Sequence, residues 1–256
     1  MSLRVRFVIT DAIATLTLSQ PERRNALSRP LLQALRDALE AIARDTSVRV
    51  VILNAEGPAF SAGHDLRELV GASPADAESL FALCTDVMDR IRALAQPVIA
   101  AVQGVATAAG CQLVATCDLA VAAENATFAT PGVKIGLFCS TPAVALVRAV
   151  PAKKAMEMLL TGEAISAAEA ERLGLVNRVV PAGRLQDEAL MLARKIASAS
   201  RGTVALGKRT FYAQSPLSVP QAYDVAQRAM VENTTFADAQ EGMTAFLEKR
   251  PPHWSA

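Results

Sequence analysis

Pro97 to Asp118 reads P-V-I-A-A-V-Q-G-V-A-T-A-A-G-C-Q-L-V-A-T-C-D, and the fold turns on how this stretch is read. Val98 to Val102 is a short apolar run opened by Pro97, the pattern of a fully buried strand, and Gly104 breaks it. Cys111 to Thr116 is apolar and helix-compatible. The chain therefore passes from strand to helix through Ala106, Thr107, Ala108, Ala109 and Gly110, residues too small to hold a ligand away from the backbone. The first N–H groups of a helix lack intrahelical partners, and the helix dipole makes that end favour an anion or a developing oxyanion. Small residues are also what close packing of a helix on a strand demands. Taken alone, the stretch leaves a site and a packing contact equally open.

A second stretch favours the site. Ala59 to Glu68, A-F-S-A-G-H-D-L-R-E, follows the strand-like V-R-V-V-I-L-N of Val48 to Asn54, with Glu56-Gly57-Pro58 as the turn between them. It is again a strand, a small-residue bend and a helix start.

F-S-A-G-H-D-L together with A-V-Q-G-V-A-x-A-A-G-C-Q-L-x-x-x-C-D resembles the crotonase superfamily, the enoyl-CoA hydratase/isomerase family. The likeness runs from the P-E-R-R-N-A-L of Pro21 to Leu27 to the A-F-L-E-K-R of Ala245 to Arg250. F-A-T-P-G-V and G-L-F-C-S-T bring it nearest the enoyl-CoA hydratase domain-containing subgroup. The resemblance implies an α/β fold, a spiral of repeated β-β-α units with a helical C-terminal region. It divides the chain into a spiral core with an acyl-CoA pocket, residues 1–195, and a region of trimer contacts that covers the CoA site, residues 196–256. It implies a CoA thioester as substrate or ligand, no separate cofactor, a homotrimer or dimer of trimers, and hydratase or isomerase chemistry in fatty acid metabolism.

Carried over residue by residue, the two backbone N–H groups that hold the thioester carbonyl fall on His64 and Ala109, with Ala62, Asp65 and Leu66 completing the first bend. Arg23 and Arg24 match a loop beside the CoA phosphates, and Lys249, with Arg250, matches basic residues near the adenine; solvated loop charges and helix-end charges are the alternatives. Lys208 is a weaker case of the same kind. The family's two catalytic glutamates fall on Gln112 and Gly132. An amide can orient water but does not take its proton near neutral pH, and glycine does neither. Ser140 and Thr141 occupy a loop where some members place another acid, and a lone hydroxyl there is a poor base. The His64 imidazole titrates near neutrality, although its ring can equally point outward. Asp65 and Asp118 read as capping or anchoring acids.

Composition narrows the classes further. The chain has 256 residues, 52% of them hydrophobic, enough for a substantial core. With 26 basic and 25 acidic residues the net charge is +1, which gives no electrostatic case for nucleic acid. No apolar run is long enough to span a bilayer and no signal-like start is evident, so the expectation is a cytoplasmic protein without a membrane partner. Four cysteines without C-x-x-C spacing and two isolated histidines predict buried reduced thiols and no metal site.

Elsewhere the patterns predict a hairpin over Arg4–Ile9 and Ala12–Leu18, a helix carrying Leu31, Leu35, Leu39 and Ile42, and a long helix from Ser73-Pro74 to about Ala95. Beyond Pro151 helices dominate: Lys153–Thr161, a capping-box start at Ser166, then Leu185–Ala199, Thr203–Tyr212, Val219–Val231 and Thr235–Glu248, with a brief strand at Val176–Val180. From pattern alone an open sheet and a spiral cannot be told apart.

Overall fold

The computed structural model describes residues 4–255. The chain opens with an antiparallel hairpin, β1 (Val5–Thr10) and β2 (Ile13–Leu18), followed by α1 (Arg29–Arg44). Three β-β-α units come next: β3 (Val50–Ala55), β4 (Ala59–Ser61) and α2 (Pro74–Ala93); β5 (Val98–Val102), β6 (Val105–Thr107) and α3 (Ala109–Thr116); β7 (Leu119–Ala123), β8 (Thr127–Ala129) and α4 (Ser140–Ala149). After them run α5 (Ala152–Thr161), β9 (Ile165–Ser166), α6 (Ala167–Leu173), β10 (Arg178–Val180), α7 (Leu185–Ala197), α8 (Arg201–Gln214), α9 (Val219–Thr234) and α10 (Ala237–Leu247).

The first strand of each unit joins a six-stranded sheet of order β1-β2-β3-β5-β7-β10, and the second joins a four-stranded sheet of order β4-β6-β8-β9. Within each sheet these strands pair in parallel, so each unit repeats the last one strand further along, and the result is the spiral of an α/β protein.

Side-chain alternation explains the layering. Along β3, Val51 and Leu53 face the main core under α1 and α2, while Val50 and Ile52 face Leu185, Ala189 and Ala193 of α7. The same alternation runs through β5 and β7, so the large sheet is apolar on both faces, as a parallel sheet covered on both sides must be. An isolated helix needs roughly 12–15 residues to persist in water. With 8 residues, α3 exists because it is packed: Cys111, Leu113 and Val114 are all buried.

Three segments differ from the sequence expectation. Ser140 and Thr141 are not in a loop but open α4; S-T-P reads as turn punctuation, yet proline is tolerated in a first helical turn. The helix start after the A-G-H-D bend is a single 3₁₀ turn, Leu66–Glu68. Val105–Thr107 pairs as β6 although its residues are small, because β4 and β8 flank it.

Candidate active site

The two small-residue bends meet backbone to backbone. Gly63 has φ +83°, and a Cβ there would lie 2.9 Å from the Ala108 Cβ and 3.2 Å from the Ala109 nitrogen. A Cβ on Gly110 would lie 2.3 Å from the Ser61 carbonyl oxygen. Only glycine permits either approach. Among the described residues neither the His64 N–H nor the Ala109 N–H donates to a backbone carbonyl. Ala109 is the first residue of α3, so its N–H carries the positive end of the helix dipole. Adjacent unpaired N–H groups of this kind are what stabilises a carbonyl oxygen acquiring negative charge.

Ala108, which caps α3, holds φ +50° and ψ −119°, a conformation costing a residue with a Cβ about 1–3 kcal/mol. It is held there by two hydrogen bonds: its N–H donates to Ala129 O at 2.9 Å and its carbonyl accepts from Gln112 N at 3.0 Å.

A fully buried residue that sequence reasoning passed over sets the first bend. The Asn25 side chain donates to Glu56 O (2.9 Å) and Ala59 O (2.8 Å), and its Oδ1 accepts from Gln20 N (2.9 Å). Its own carbonyl accepts from Ser61 Oγ at 2.9 Å. At φ +50° it occupies the left-handed region that asparagine tolerates, a signal present in the P-E-R-R-N turn. Arg24 O accepts from Ala62 N at 3.0 Å, tying the arginine loop to the bend, while the Arg23 and Arg24 side chains stay exposed.

Asp65 is buried and caps the turn opened by Leu66, itself exposed. Its carboxylate takes Arg67 Nε (2.8 Å) and Nη2 (2.6 Å), with Arg23 at 3.8 Å, and the Arg67 hydrogen bond chiefly holds its pKa below the ordinary value. Already occupied, Asp65 acts as an anchor.

The His64 ring sits edge-on to Phe81, centroids 5.3 Å apart, with Nδ1 3.3 Å from Leu27 O. Its Nε2 is buried without a partner, and burial lowers its pKa against the opposing Leu27 contact and Glu68 charge. Gln112, 5% exposed, likewise has a buried Oε1 with no partner. A Cβ on Gly132 would lie 2.8 Å from both Cys139 Sγ and Leu137 O, so the loop after Gly132 fills the space a side chain would need. Ser140 is exposed and its hydroxyl lies 3.5 Å from Phe138 O, with no acid or base as partner.

A cavity of about 400 Å³ opens beside α3, walled by α2, α4 and α8. Gln112 and Thr141 line it; His64 and Ala109 do not. The amide pair therefore lies outside this cavity, and Gln112, three residues beyond Ala109 on α3, is the cavity residue nearest to it in that helix.

Other residues fall away from the bends. Asp118 accepts from Val98 N (2.7 Å) and Tyr212 Oη (2.8 Å) and pairs with Lys208 at 2.7 Å, a buried ion pair locking α8 to the start of β5. Lys208, which also donates to Ile91 O and Gln96 O, is thus a structural cation and not a ligand contact. Lys249 is exposed with φ +56° just beyond α10, which packs on α8 and α9. All four cysteines are free and buried, and burial pushes the Cys111 thiol up to about 12, so nucleophilic use is disfavoured.

Comparison with known proteins places this geometry. A family profile described as enoyl-CoA hydratase/isomerase matches residues 8–256. The rat enoyl-CoA hydratase domain-containing protein 3, mitochondrial, is 55% identical over 246 residues, 96% of this chain and 82% of the relative. The human protein of that name aligns at 53% identity over 96% of this chain and 81% of the relative. A crystal structure of the human protein has a TM-score of 0.96 at 51% identity, covering 98% of this chain and 100% of that one. An enoyl-CoA hydratase structure from Mycobacterium smegmatis has the same TM-score at 50% identity, covering 98% of each chain. The cytoplasmic expectation is corrected by the rat, mouse and human relatives, which are named mitochondrial. Compartment is set by an address signal and not by the composition of a folded domain, so composition misled. On the profile match, the identities and the shared spiral of β-β-α units, the chain belongs to the enoyl-CoA hydratase/isomerase family of the crotonase superfamily.

Proposed function

We propose that this protein binds acyl-CoA thioesters, with the thioester oxygen on the N–H groups of His64 and Ala109, and that hydration of enoyl thioesters is not its efficient reaction. The carrying observation is how closely the Gly63 bend packs on the start of α3, where a Cβ added to Gly63 would lie 3.2 Å from the Ala109 nitrogen, while both N–H groups lack backbone partners. Each such donor contributes about 3–4 kcal/mol to stabilising an oxyanion. A polarised thioester can enolise, so chemistry at its α-carbon remains open to this site.

Hydration also needs groups that move the protons of water. Gln112 and Gly132 supply none, a deficit of about 10² to 10⁴ in rate for each missing group. The titratable ring at the bend is His64, which its depressed pKa keeps neutral at pH 7. Binding without turnover is the second reading, favoured by the Cys139 sulfur and Leu137 carbonyl packed where a side chain at position 132 would stand.

Arg23 and Arg24, exposed beside the bend, suit the CoA phosphates. Residues 196–256 act as an assembly region in this reading: Phe246 and Leu247 on α10 are 83% and 80% exposed, apolar area that a homotrimer or dimer of trimers would cover, with Lys249 brought to a neighbouring copy's ligand. The names of the vertebrate relatives support a mitochondrial setting and a place in acyl-CoA metabolism.

Calorimetric titration with an acyl-CoA and with free CoA tests the site. The acyl thioester should bind more tightly than CoA, and absence of binding at millimolar ligand would sink the proposal. Turnover of a trans-enoyl-CoA as fast as in a family member with both glutamates would refute the assignment of slow hydration.

A further inference from the structure

The cavity beside α3 has two chemically different ends. At the near end stands Gln112, three residues beyond Ala109 on α3, and helix side chains lean toward the N-terminus, the end at which Ala109 lies. It is 5% exposed and its Oε1 has no partner. The three helices around the cavity run from this end together. On α2, Phe81 packs on His64; Cys139, capping α4, is close enough to Cys111 in α3 to influence its thiol.

The far end lies seven residues beyond the first cavity-lining residue of two wall helices, Thr85 to Arg92 on α2 and Thr141 to Arg148 on α4, roughly 10 Å along each axis. There Arg92 of α2 lies 4.7 Å over the ring of Tyr212, whose hydroxyl donates to Asp118 beyond the end of α3. Arg148, in the last turn of α4, also lines the cavity, and its hydrogen bond goes to the Val144 carbonyl at 2.6 Å. Among the described residues neither guanidinium pairs with a carboxylate. Two acids line the same cavity: Asp118 is already neutralised by Lys208 at 2.7 Å, leaving Asp89 against two arginines. Between the ends the walls carry Met88, Ala115 and Ala145, with Thr85 and Thr116 among them.

We propose that this cavity takes the acyl chain and that the chain ends in a carboxylate, so that the ligand class is the CoA half-thioester of a dicarboxylic acid. The proposal rests on the thioester lying on the His64 and Ala109 amides. A carboxylate at the far end meets Arg92 and Arg148, fork-shaped donors suited to it, after a distance about as long as a medium acyl chain.

The test is calorimetry on the intact protein at low ionic strength with octanoyl-CoA, suberoyl-CoA and free CoA. Suberoyl-CoA should bind at least about tenfold more tightly than octanoyl-CoA, the worth of one charge-assisted hydrogen bond. Added salt should erode that ratio. Arg148→Gln and Arg92→Gln should each drive it toward one, and Arg148→Glu should invert it; Arg148 is exposed, so its replacement leaves the fold intact. Equal or weaker binding of suberoyl-CoA, or a preference that both arginine variants retain, overturns this inference and leaves the amide site standing. If neither thioester binds more tightly than free CoA, the amide site falls with it.

Discussion

Under the proposed function, placing glutamate separately at positions 112 and 132 should give unequal results, for reasons visible around each position. Gln112 lines the cavity with its Oε1 free of any partner, and glutamate is nearly isosteric with it, so Gln112→Glu needs no repacking. It should raise trans-enoyl-CoA hydration by about 10²-fold or more, the lower range of one positioned acid–base group. Because the position is buried, the new carboxyl should ionise above the ordinary glutamate range, and the gain should grow as pH rises through that raised value. Gly132→Glu meets a different surrounding. Its Cβ would stand 2.8 Å from Cys139 Sγ and from Leu137 O, and overpacking of that kind costs about 1–3 kcal/mol. At about 2–4 °C per kcal/mol for a chain of this size, the melting temperature should drop by roughly 2–12 °C. Hydration should not improve, and adding Cys139→Ala should recover part of the stability by removing the sulfur. Disappearance of enoyl absorbance follows the chemistry and thermal unfolding follows the clash. No gain from Gln112→Glu at any pH would refute the view that a missing carboxylate limits the rate. A Gly132→Glu protein with unchanged melting would show that residues 137–139 are not fixed where this structure has them.

Ala108→Gly should stabilise the protein by about 1 kcal/mol, by relieving the backbone conformation of φ +50° and ψ −119°, and calorimetric melting would check the sign. Asp118→Ala should destabilise by about 3–5 kcal/mol, since it leaves Lys208 buried without its partner while freeing Val98 N and Tyr212 Oη; urea unfolding measures it. The pH dependence of stability carries a further signature. His64 has a folded pKa below the 6.5 of the free imidazole, so below about pH 6.5 the unfolded chain binds protons the folded one does not. That contribution is complete above about pH 6.5 and is lost as pH falls below it toward the lowered folded pKa, and His64→Gln should flatten this part of the stability profile.

Much of this molecule is written in local patterns. The V-I-A-A-V and V-V-I-L-N runs announce buried strands, and the leucine spacing of 31, 35 and 39 announces α1. The placement of Gln112 and Gly132 also follows from the motif alone. Helix α4 was hidden because Ser140, Thr141 and Pro142 are turn formers whose role depends on what they pack against, and Pro142 and Leu146 are buried. Asn25 was hidden for a related reason: its partners Glu56 and Ala59 lie 31 and 34 residues away, and no local pattern encodes such bonds.

By itself the sequence determined the repeated strand-bend-helix units, the small residues at both bends and the presence of Gln112 and Gly132 where the family resemblance puts glutamates, because hydrophobic period, glycine and side-chain chemistry are properties of neighbouring residues. Only the tertiary structure decided that Gly63 lies against Ala109, that Cys139 and Leu137 fill the space beside Gly132, and that Arg92 and Arg148 share a cavity with Gln112. These are encounters between segments far apart in the chain. They depend on how the spiral closes, and closure is fixed by packing over the whole sheet rather than by any one stretch.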